Sequence, residues 1–331
     1  MASRRSLVTG GTGFIGSHLV EALLHQGREV RCLVRSPNSL KWIRGLPVEI
    51  LEGDCTDFVS LRTAVEGMDE IYQVAGVTKA PEHRAFYRTN VLGTENLAKA
   101  SLERNPNIQR LVYLSSQAAV GPCRGRGLSV ETDACQPVSH YGLSKRQGEE
   151  AVLRYRDRLS VVILRACAVY GPRDRDFLPI FRSIERGIEI GLWGVQHRVS
   201  LCYVDDLVSA LVMAADRDLP SGEIFFVSDG NTYTWSDVGA MIARTMGART
   251  IRLGLPVGVF RWCAEVSDWV SRRSGKPHIL SRERYQEMIH PNWCCDSSKV
   301  VAELGFSPSF DLERGVGETV RWYRTQGWLK S

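Results

Sequence analysis

Short apolar runs alternate along this chain with segments of helical periodicity. The runs are rich in Val, Ile and Leu and are bounded by turn-forming residues, a composition that indicates buried strands. We predict such strands at residues 7–9, 30–34, 48–51, 71–74, 111–114, 161–164 and 223–227. Because strands that alternate with helices form a parallel sheet covered on both faces, the pattern predicts an α/β fold with a doubly wound parallel sheet.

The helices predicted between these strands each have one apolar face. In residues 17–26 the leucines and Val20 lie on one side, and Gly27 follows as a left-handed C-terminal cap. Further helices are predicted at residues 90–103 and 141–155. The three helices are long enough to cover a sheet of the predicted strands.

The pattern changes near residue 170, after which Pro and Gly interrupt shorter elements. The helices predicted in this part are residues 177–186, residues 205–215 and one that starts at the capping-box sequence Thr234 to Asp237. We expect a large domain at residues 1–170 and a smaller, mainly ligand-binding part at residues 171–331. Strands of the C-terminal half are expected to return to the first sheet.

The composition is that of an ordinary globular protein, with 44% hydrophobic and 24% charged residues among 331. A net charge of +5 is small and scattered along the chain, so it indicates neither a nucleic-acid partner nor a membrane surface. The nine cysteines form no C-x-x-C pair, so we expect reduced thiols, no metal site and a cytoplasmic protein. No apolar run approaches the length of about 18 residues that a transmembrane helix needs, and the glycine-rich motif follows within ten residues of the first, so we expect neither a membrane span nor a signal peptide.

Residues 9–16 read Thr-Gly-Gly-Thr-Gly-Phe-Ile-Gly between the first predicted strand and the first predicted helix. Glycines there permit a tight turn and a close approach to the backbone, and the helix N-terminus offers free N–H groups to a pyrophosphate. We therefore predict a dinucleotide site of the Rossmann type. The residues predicted to form it are Gly10, Thr12, Gly13, Phe14, Ile15 and Gly16.

The end of the second predicted strand bears on the choice of dinucleotide. An NAD-preferring site places Asp or Glu there, whereas residues 32–36 contain Arg35 and no carboxylate. A guanidinium pairs well with a 2′-phosphate, although a solvent-exposed strand-end arginine is the alternative. We predict NADP(H) as the preferred cofactor and NAD(H) as the alternative. After the third strand, Asp54 is a candidate adenine contact, whereas Asp57 is better suited to a helix N-cap.

Tyr141 and Lys145 are four residues apart and share one face of a predicted helix. A neighbouring ammonium and a bound nicotinamide cation both favour the phenolate, which lowers the pKa of a tyrosine from about 10 towards the range of acid–base catalysis. This spacing is common on ordinary helices, and the nucleotide motif upstream favours the catalytic interpretation. Ser115 and Ser116 end the fifth strand, where ligands bind such sheets, although a serine there is usually a turn residue.

Taken together, the motifs resemble the extended short-chain dehydrogenase/reductase family over nearly the whole chain. They are T-G-x-x-G-x-x-G at 9–16, G-D-x-x-D at 53–57, V-A-G at 74–76, N-x-x-G-T-x-N at 90–96, Ser116, Y-x-x-x-K at 141–145, V-Y-G-P-R at 169–173 and Y-V-D-D-L at 203–207. The resemblance implies that Tyr141 exchanges the proton, that Lys145 lowers its pKa and holds the nicotinamide ribose, and that Ser116 orients the reacting oxygen. It also implies cofactor contacts by Asp54, Cys55, Val74, Ala75, Gly76, Asn90 and Ala168.

The same family contains sugar-nucleotide epimerases and dehydratases as well as reductases. Residues 165–169 lack the Phe-Asn pair of the sugar-nucleotide members, which together with Arg35 resembles the dihydroflavonol-reductase and 3β-hydroxysteroid-dehydrogenase branch. Ala166 departs from that branch. The resemblance implies hydride transfer between NADP(H) and a carbonyl or secondary alcohol. The alternatives are a nucleotide-sugar epimerase or dehydratase with tightly bound NAD, and a non-catalytic dinucleotide sensor or assembly protein.

The substrate pocket is predicted within residues 78–83 and 177–193, with Thr78, Gln117 and Phe177 as candidate contacts. A homodimer is also expected, because relatives pair through the helices that correspond to 90–103 and 141–155. A later stripe at helical spacing favours an apolar substrate and consists of Val259, Trp262, Cys263, Val266, Trp269 and Val270. It fits core packing, a dimer surface, a lid over an apolar substrate or a weak contact with a membrane surface.

Overall fold

The structure is a computed structural model that describes residues 3–80, 82–124, 127–192, 197–274 and 282–330. Its strands are β1 Arg5–Thr9, β2 Glu29–Val34, β3 Val48–Glu52, β4 Glu70–Gln73, β5 Arg110–Ser116, β6 Val161–Ala166, β7 Ala168–Tyr170, β8 Ile188–Leu192, β9 Arg198–Val199, β10 Leu201–Tyr203, β11 Glu223–Val227, β12 Tyr233–Thr234, β13 Ile251–Leu255 and β14 Asn292–Trp293.

Its α-helices are α1 Phe14–His25, α2 Phe58–Val65, α3 His83–Phe86, α4 Gly93–Arg104, α5 His140–Leu153, α6 Leu178–Glu185, α7 Val204–Asp216, α8 Trp235–Met246, α9 Val257–Ser274, α10 Arg282–Met288, α11 Ser298–Leu304 and α12 Leu312–Thr325. The seven predicted strands and the predicted long helices are all present, with ends displaced by a few residues.

Seven parallel strands form the central sheet in the order β3-β2-β1-β4-β5-β6-β11. The predicted α/β fold with a doubly wound parallel sheet is therefore confirmed. The strand order reverses between β1 and β4, where consecutive connections leave on opposite faces. Ligands of open parallel sheets bind at this switch point, outside the carboxyl ends of the strands.

Each face of the sheet has its own apolar core. On one face α1 and α7 pack together, with Leu23 and Leu211 fully buried between them and the strands. On the other face α2, α4 and α5 contribute Leu61, Leu97 and Val152, which are also fully buried. Successive side chains of β5 point to opposite faces of the sheet and therefore contribute to both cores, as expected for a strand that is covered on both sides.

The helix predicted at residues 90–103 begins earlier in the structure. Helical backbone runs from α3 through a π-helical segment, Tyr87–Leu92, into α4. A π-helical turn has a wider repeat than an α-helix, so the 3.6-residue pattern of apolar positions breaks there and hides the first turns from the sequence. Asn90 lies inside this π-helical segment.

A third apolar core lies beyond β6 and joins α6, α8 and α12 through residues such as Phe181, Val238 and Tyr323. Trp322 and Trp328 pack against Tyr323 and so extend this core at the C-terminus. Thr234 and Asp237 form the predicted capping box at the start of α8.

The apolar stripe of α9 is exposed in large part. Val259, Trp262, Val266, Trp269 and Val270 all present at least a third of their surface to solvent. Core packing is therefore the wrong interpretation for these side chains. None of the helices in the described parts of the chain combines the length and the apolar character needed to span a bilayer.

Candidate active site

The N-terminus of α1 lies at the carboxyl end of β1 and carries no side-chain cap. Gly13 is its N-cap residue, and the Gly13 N–H donates to the Gly10 carbonyl at 2.9 Å to close a tight turn. Gly10 has a φ of +74°, and a Cβ on Gly16 would lie 2.1 Å from the Gly10 oxygen. Because first-turn N–H groups have no partner within a helix, this helix start presents donors and a positive dipole end to an anion.

Four other helices, α2, α5, α8 and α12, begin with a side-chain cap, whereas α3, α4, α6, α7 and α11 lack one, as α1 does. Asp57 accepts hydrogen bonds from the backbone of α2, which confirms it as an N-cap, and Ser139, Thr234 and Asp311 do the same for α5, α8 and α12. At α1 the equivalent position is an exposed glycine instead. The space a side chain would fill is thus left for a ligand, and the backbone donors there fit the pyrophosphate of a dinucleotide.

Thr9 fixes the end of β4 beside this turn. Its hydroxyl donates to Gln73 Oε1 at 2.6 Å and accepts from the Ala75 N–H at 3.1 Å. A Cβ on Gly10 would lie only 2.7 Å from the Ala75 nitrogen, so the two backbones are in direct contact. Val74, the half-buried residue between Gln73 and Ala75, and the exposed Gly76 therefore continue the wall begun by the glycine-rich turn.

Asn90 connects the segment after β4 to α5. Its Oδ1 accepts from the Val77 N–H at 2.8 Å, and its Nδ2 donates to the Val77 carbonyl at 3.0 Å and to Ser144 Oγ at 2.9 Å. The side chain is fully buried, and its amide is engaged by the protein itself. Asn90 therefore positions the wall of the site, and its predicted contact with the cofactor stays a prediction.

Lys145 is the buried cation of the site. Its Nζ donates to the Leu114 carbonyl at 2.6 Å and lies 4.5 Å from the centre of the Tyr113 ring. Burial lowers the pKa of Lys145 to about 8, and the negative charge of Glu149 offsets only part of that effect. A Cβ on Gly76 would lie 3.7 Å from the same ammonium, so Lys145 faces the wall that follows β4.

The start of α5 packs directly on the turn that follows β5. A Cβ on Gly142 would lie 2.3 Å from the Ala118 carbonyl oxygen, so only glycine fits between the two segments. Ser116 caps that turn by accepting from the Ala118 N–H at 3.2 Å. Tyr141 precedes Gly142 and shares a helix face with Lys145. The three predicted catalytic residues therefore lie on two backbone segments that are in contact.

The two serines at the end of β5 have different surroundings. Ser115 is buried, and its hydroxyl donates to Glu149 Oε1 at 2.5 Å. Ser116 is only partly buried and lies one residue closer to the open edge of the sheet. Ser115 thus belongs to a buried polar cluster, whereas Ser116 is on the side where a ligand would bind.

The remaining predicted cofactor residues lie along the same edge. Arg35 follows β2 and is exposed, and Asp54 Oδ1 accepts from the Thr56 N–H at 2.7 Å. Cys55 is buried, and burial raises the pKa of its thiol to about 12. Ala168 begins β7 and is partly buried. Phe14 and Ile15 of α1 pack against the third core, while Thr12 is partly exposed at the turn.

The predicted substrate contacts are spread around the edge of the sheet. Thr78 is exposed, whereas Gln117 is buried and its Nε2 has no hydrogen-bond partner among the described residues. Phe177 is buried, with its ring 6.0 Å from that of Tyr170 and 5.7 Å from that of Trp235. Two further residues of the predicted pocket segments, Pro81 and Trp193, lie outside the described residues.

Two contacts at the mouth of the site have no recognisable signal in the sequence. Lys79, after β4, forms an ion pair with Asp176, just before α6. The rings of His83 and His140 lie 3.7 Å apart, and His140 directly precedes Tyr141. Both contacts join segments far apart in the chain, so only the folded structure brings them together.

Arg173 connects the C-terminal part to the first helix of the dinucleotide site. Its guanidinium donates to Ser17 Oγ at 3.0 Å and to Glu21 Oε1 at 2.6 Å, and it lies over the Trp42 ring at 5.2 Å. Arg173 has a φ of +70°, a strained value for a residue other than glycine. The V-Y-G-P-R motif was the available sequence signal, but it did not indicate this contact.

Comparison with known proteins agrees with this geometry. The profile of the NAD dependent epimerase/dehydratase family matches residues 6–228. A ceramide reductase of Caulobacter vibrioides is 34% identical over 326 residues, which cover 97% of this chain and 95% of that protein. A 3 beta-hydroxysteroid dehydrogenase/Delta 5-->4-isomerase of Mycobacterium tuberculosis is 27% identical, and the match covers 96% of this chain and 90% of that protein. The solved structure of MoeE5 with UDP-glucose and NAD matches with a TM-score of 0.79 and 25% identity. The match covers 97% of this chain and 99% of that one.

Proposed function

Because the chain belongs to the NAD dependent epimerase/dehydratase family and is an NAD(P)-dependent oxidoreductase of the extended short-chain dehydrogenase/reductase type, we propose that it reduces or oxidises a small, apolar substrate with NADP(H). The reacting group is a carbonyl or a secondary alcohol. The observation that carries this proposal is Lys145, whose buried ammonium lies at the end of β5, one helical turn after Tyr141.

The residues at the switch point fit a dinucleotide. The uncapped start of α1 would hold the pyrophosphate, Arg35 the 2′-phosphate and Lys145 the nicotinamide ribose. When bound, the nicotinamide supplies or accepts the hydride. Val74, Ala75 and Gly76 would line the wall of the site beside the cofactor.

Tyr141 would transfer the proton that accompanies the hydride. During reduction its phenol protonates the carbonyl oxygen, and during oxidation its phenolate accepts the proton of the alcohol. The Lys145 ammonium stabilises the phenolate, because an opposite charge nearby favours the ionised form. The Ser116 hydroxyl donates a hydrogen bond to the same substrate oxygen and holds it beside Tyr141.

Two observations support an apolar substrate. The relatives described above are named for a ceramide and for a 3 beta-hydroxysteroid, both of which are largely apolar compounds. In this chain Phe177 and Trp235 form an aromatic pair in the C-terminal part, and Trp235 is partly exposed. Aromatic rings of this kind bind apolar surface through a large contact area.

The proposal is tested with Tyr141→Phe and with Tyr155→Phe, a tyrosine beyond the C-terminal end of α5, as the matched control. Oxidation of NADPH is measured with a long-chain alkyl ketone and with a ketosteroid. We expect Tyr141→Phe to lose about 10²- to 10⁴-fold in turnover while NADP⁺ still binds, because general acid–base catalysis contributes that much. Near-normal turnover in a folded Tyr141→Phe enzyme, or conversion of UDP-glucose with no reaction of either ketone, would contradict the proposal.

A further inference from the structure

The small sheet formed by β8 and β13 has its polar side inward and its apolar side outward. Glu189 faces α8, where its carboxylate lies against Gly239 and forms an ion pair with Arg252 at 2.6 Å. The residues that alternate with Glu189 and Arg252 point away from α8. Among them, Ile190 is 60% exposed and Ile251 is 72% exposed. This arrangement is the reverse of that in an ordinary surface sheet, whose apolar side is covered.

Helix α9 begins after a single residue that follows β13, and it exposes a further apolar face. Trp262 and Trp269 are seven residues apart and therefore on one face, and they are 66% and 58% exposed. The opposite face of the helix is the packed one, since Phe260 and Ala264 are buried and the Phe260 ring lies 5.9 Å from that of Tyr285 in α10. The exposed face is thus not needed to hold the helix to the protein.

Positive charge lies beside this surface. Arg261 is exposed on α9, where it pairs with Glu265 at 3.0 Å, and the guanidinium of Arg273 lies 4.5 Å from the centre of the Trp269 ring. By sequence, residues 249–284 contain eight Lys or Arg and three Asp or Glu, whereas the whole chain contains 42 and 37. The rest of the chain is therefore balanced at 34 and 34, and the whole net charge of +5 belongs to this segment.

We propose that the outward face of β8, β13 and α9 docks on the surface of an anionic lipid bilayer. An amphipathic helix with exposed tryptophans on its apolar face and arginines beside them lies in the interface between headgroups and acyl chains. The charge favours this occupant over a second copy of the chain, because two copies would place the same positive segment against itself, whereas an anionic surface neutralises it.

Docking gives the enzyme access to a substrate that is dissolved in the bilayer, and this consequence rests on the proposed function. The docking itself does not, because it is measured without turnover. An enzyme that binds vesicles but reduces no ketone would contradict only the proposed function, and one that reduces ketones without binding vesicles would contradict only the docking.

The test is flotation of the full-length protein with vesicles of phosphatidylcholine alone and of phosphatidylcholine mixed with phosphatidylglycerol. We expect the protein to float with the mixed vesicles and about tenfold less with phosphatidylcholine alone or in molar salt, since salt screens the charges. The double variant Trp262→Ser/Trp269→Ser should lose about tenfold in binding. Val59→Ser/Val301→Ser, which removes equally exposed apolar side chains elsewhere, should bind like the wild type.

Two charge-reversal variants test whether docking requires the positive charge at this surface. Arg261→Glu/Arg273→Glu should abolish binding to the mixed vesicles, whereas Arg44→Glu/Arg158→Glu changes the net charge equally at exposed sites elsewhere and should retain it. Thermal unfolding and NADP⁺ titration confirm that each variant is folded. Failure of the wild type to float, or equal losses in variants and controls, would overturn the proposal. A dimer that becomes a monomer only in the tryptophan variant would assign the surface to a second copy and would also overturn it.

Discussion

Lys145 and Arg165 are both buried cations near Glu149, yet the structure treats them differently. Arg165 donates to the two carboxylate oxygens of Glu149 at 3.0 and 2.8 Å. Burial alone would lower the pKa of Arg165, but the hydrogen bond and the charge of Glu149 outweigh it and raise that pKa. Lys145 has a neutral carbonyl acceptor in the direct contact described above, and burial lowers its pKa to about 8.

The difference separates a structural cation from a functional one. A buried guanidinium that is bonded to its own carboxylate holds two elements together and has no capacity left for a ligand. A buried ammonium with a lowered pKa is held in a less favourable state than in water, which the fold tolerates where the charge is needed for another purpose. Burial of a cation therefore does not identify an active site, whereas the kind of partner does.

The largest effect is expected from Arg165→Met. Removing the guanidinium leaves the carboxylate of Glu149 buried without its hydrogen-bonded counter-charge, which should lower the free energy of unfolding by about 3–5 kcal/mol. Denaturation in urea at pH 7 measures it. The double variant Arg165→Met/Glu149→Leu should recover most of the loss, because neither charge is then buried. If Arg165→Met were as stable as the wild type, Arg165 would not have the structural role that this comparison gives it.

In contrast to Arg165→Met, we expect Lys145→Met to lower the activity of the enzyme without lowering its stability. Turnover should fall about 100-fold, because the phenolate of Tyr141 loses its neighbouring charge. The free energy of unfolding of the cofactor-free protein at pH 7 should rise by about 1 kcal/mol, because an apolar side chain of similar length replaces a desolvated ammonium. Steady-state kinetics and urea denaturation of the same preparation give both values. A variant that is inactive and also strongly destabilised would mean that Lys145, like Arg165, is structural.

The pH dependence of stability sharpens the same contrast. The pKa of Lys145 is about 8 in the folded protein and about 10.5 in the unfolded chain. Between these values the unfolded chain binds more protons, so stability due to this residue should rise as the pH increases from 8 to 10.5 and should be lowest below pH 8. The melting temperature of Lys145→Met minus that of the wild type should therefore be positive at pH 7 and shrink by pH 10. A difference independent of pH would contradict the lowered pKa.

Arg35 supplies the smallest expected effect, because it is an exposed cation. Arg35→Ala should weaken NADP⁺ binding about tenfold, or about 1.4 kcal/mol, and leave NAD⁺ binding unchanged, since only NADP⁺ carries the 2′-phosphate. Calorimetric titration measures both affinities, with the exposed Arg44→Ala as the matched control. Equal losses for both cofactors, or none, would remove the argument for NADP(H) and favour the alternative of tightly bound NAD.

The features that could be predicted from sequence are those set by local pattern. The strands of the sheet follow from their apolar runs, and the start of α1 follows from glycines that only a tight turn and a close ligand require. The shared helix face of Tyr141 and Lys145 follows from their spacing alone. Each of these inferences uses residues within a few positions of each other.

The features that could not be predicted depend on packing between distant elements. Nothing in the sequence around Asn90 shows that its amide bonds to Val77 and Ser144, or that its helix has a π-helical turn. The same holds for Glu149, which lies between Ser115 and Arg165 only after α5 has packed on the sheet. The exposed stripe of α9 could be predicted only in part, because helical periodicity identifies an apolar face but not what covers it.

The contact between Arg173 and α1 has a consequence for protein engineering. Relatives of this enzyme invite the exchange of one half of the chain for that of another, and residue 170 is the obvious crossover point. A crossover there would separate Arg173 from Ser17 and Glu21, so a chimera would keep the strained backbone of Arg173 without the bonds that compensate for it. Libraries of recombined enzymes should therefore inherit α1 and residues 171–176 from the same parent.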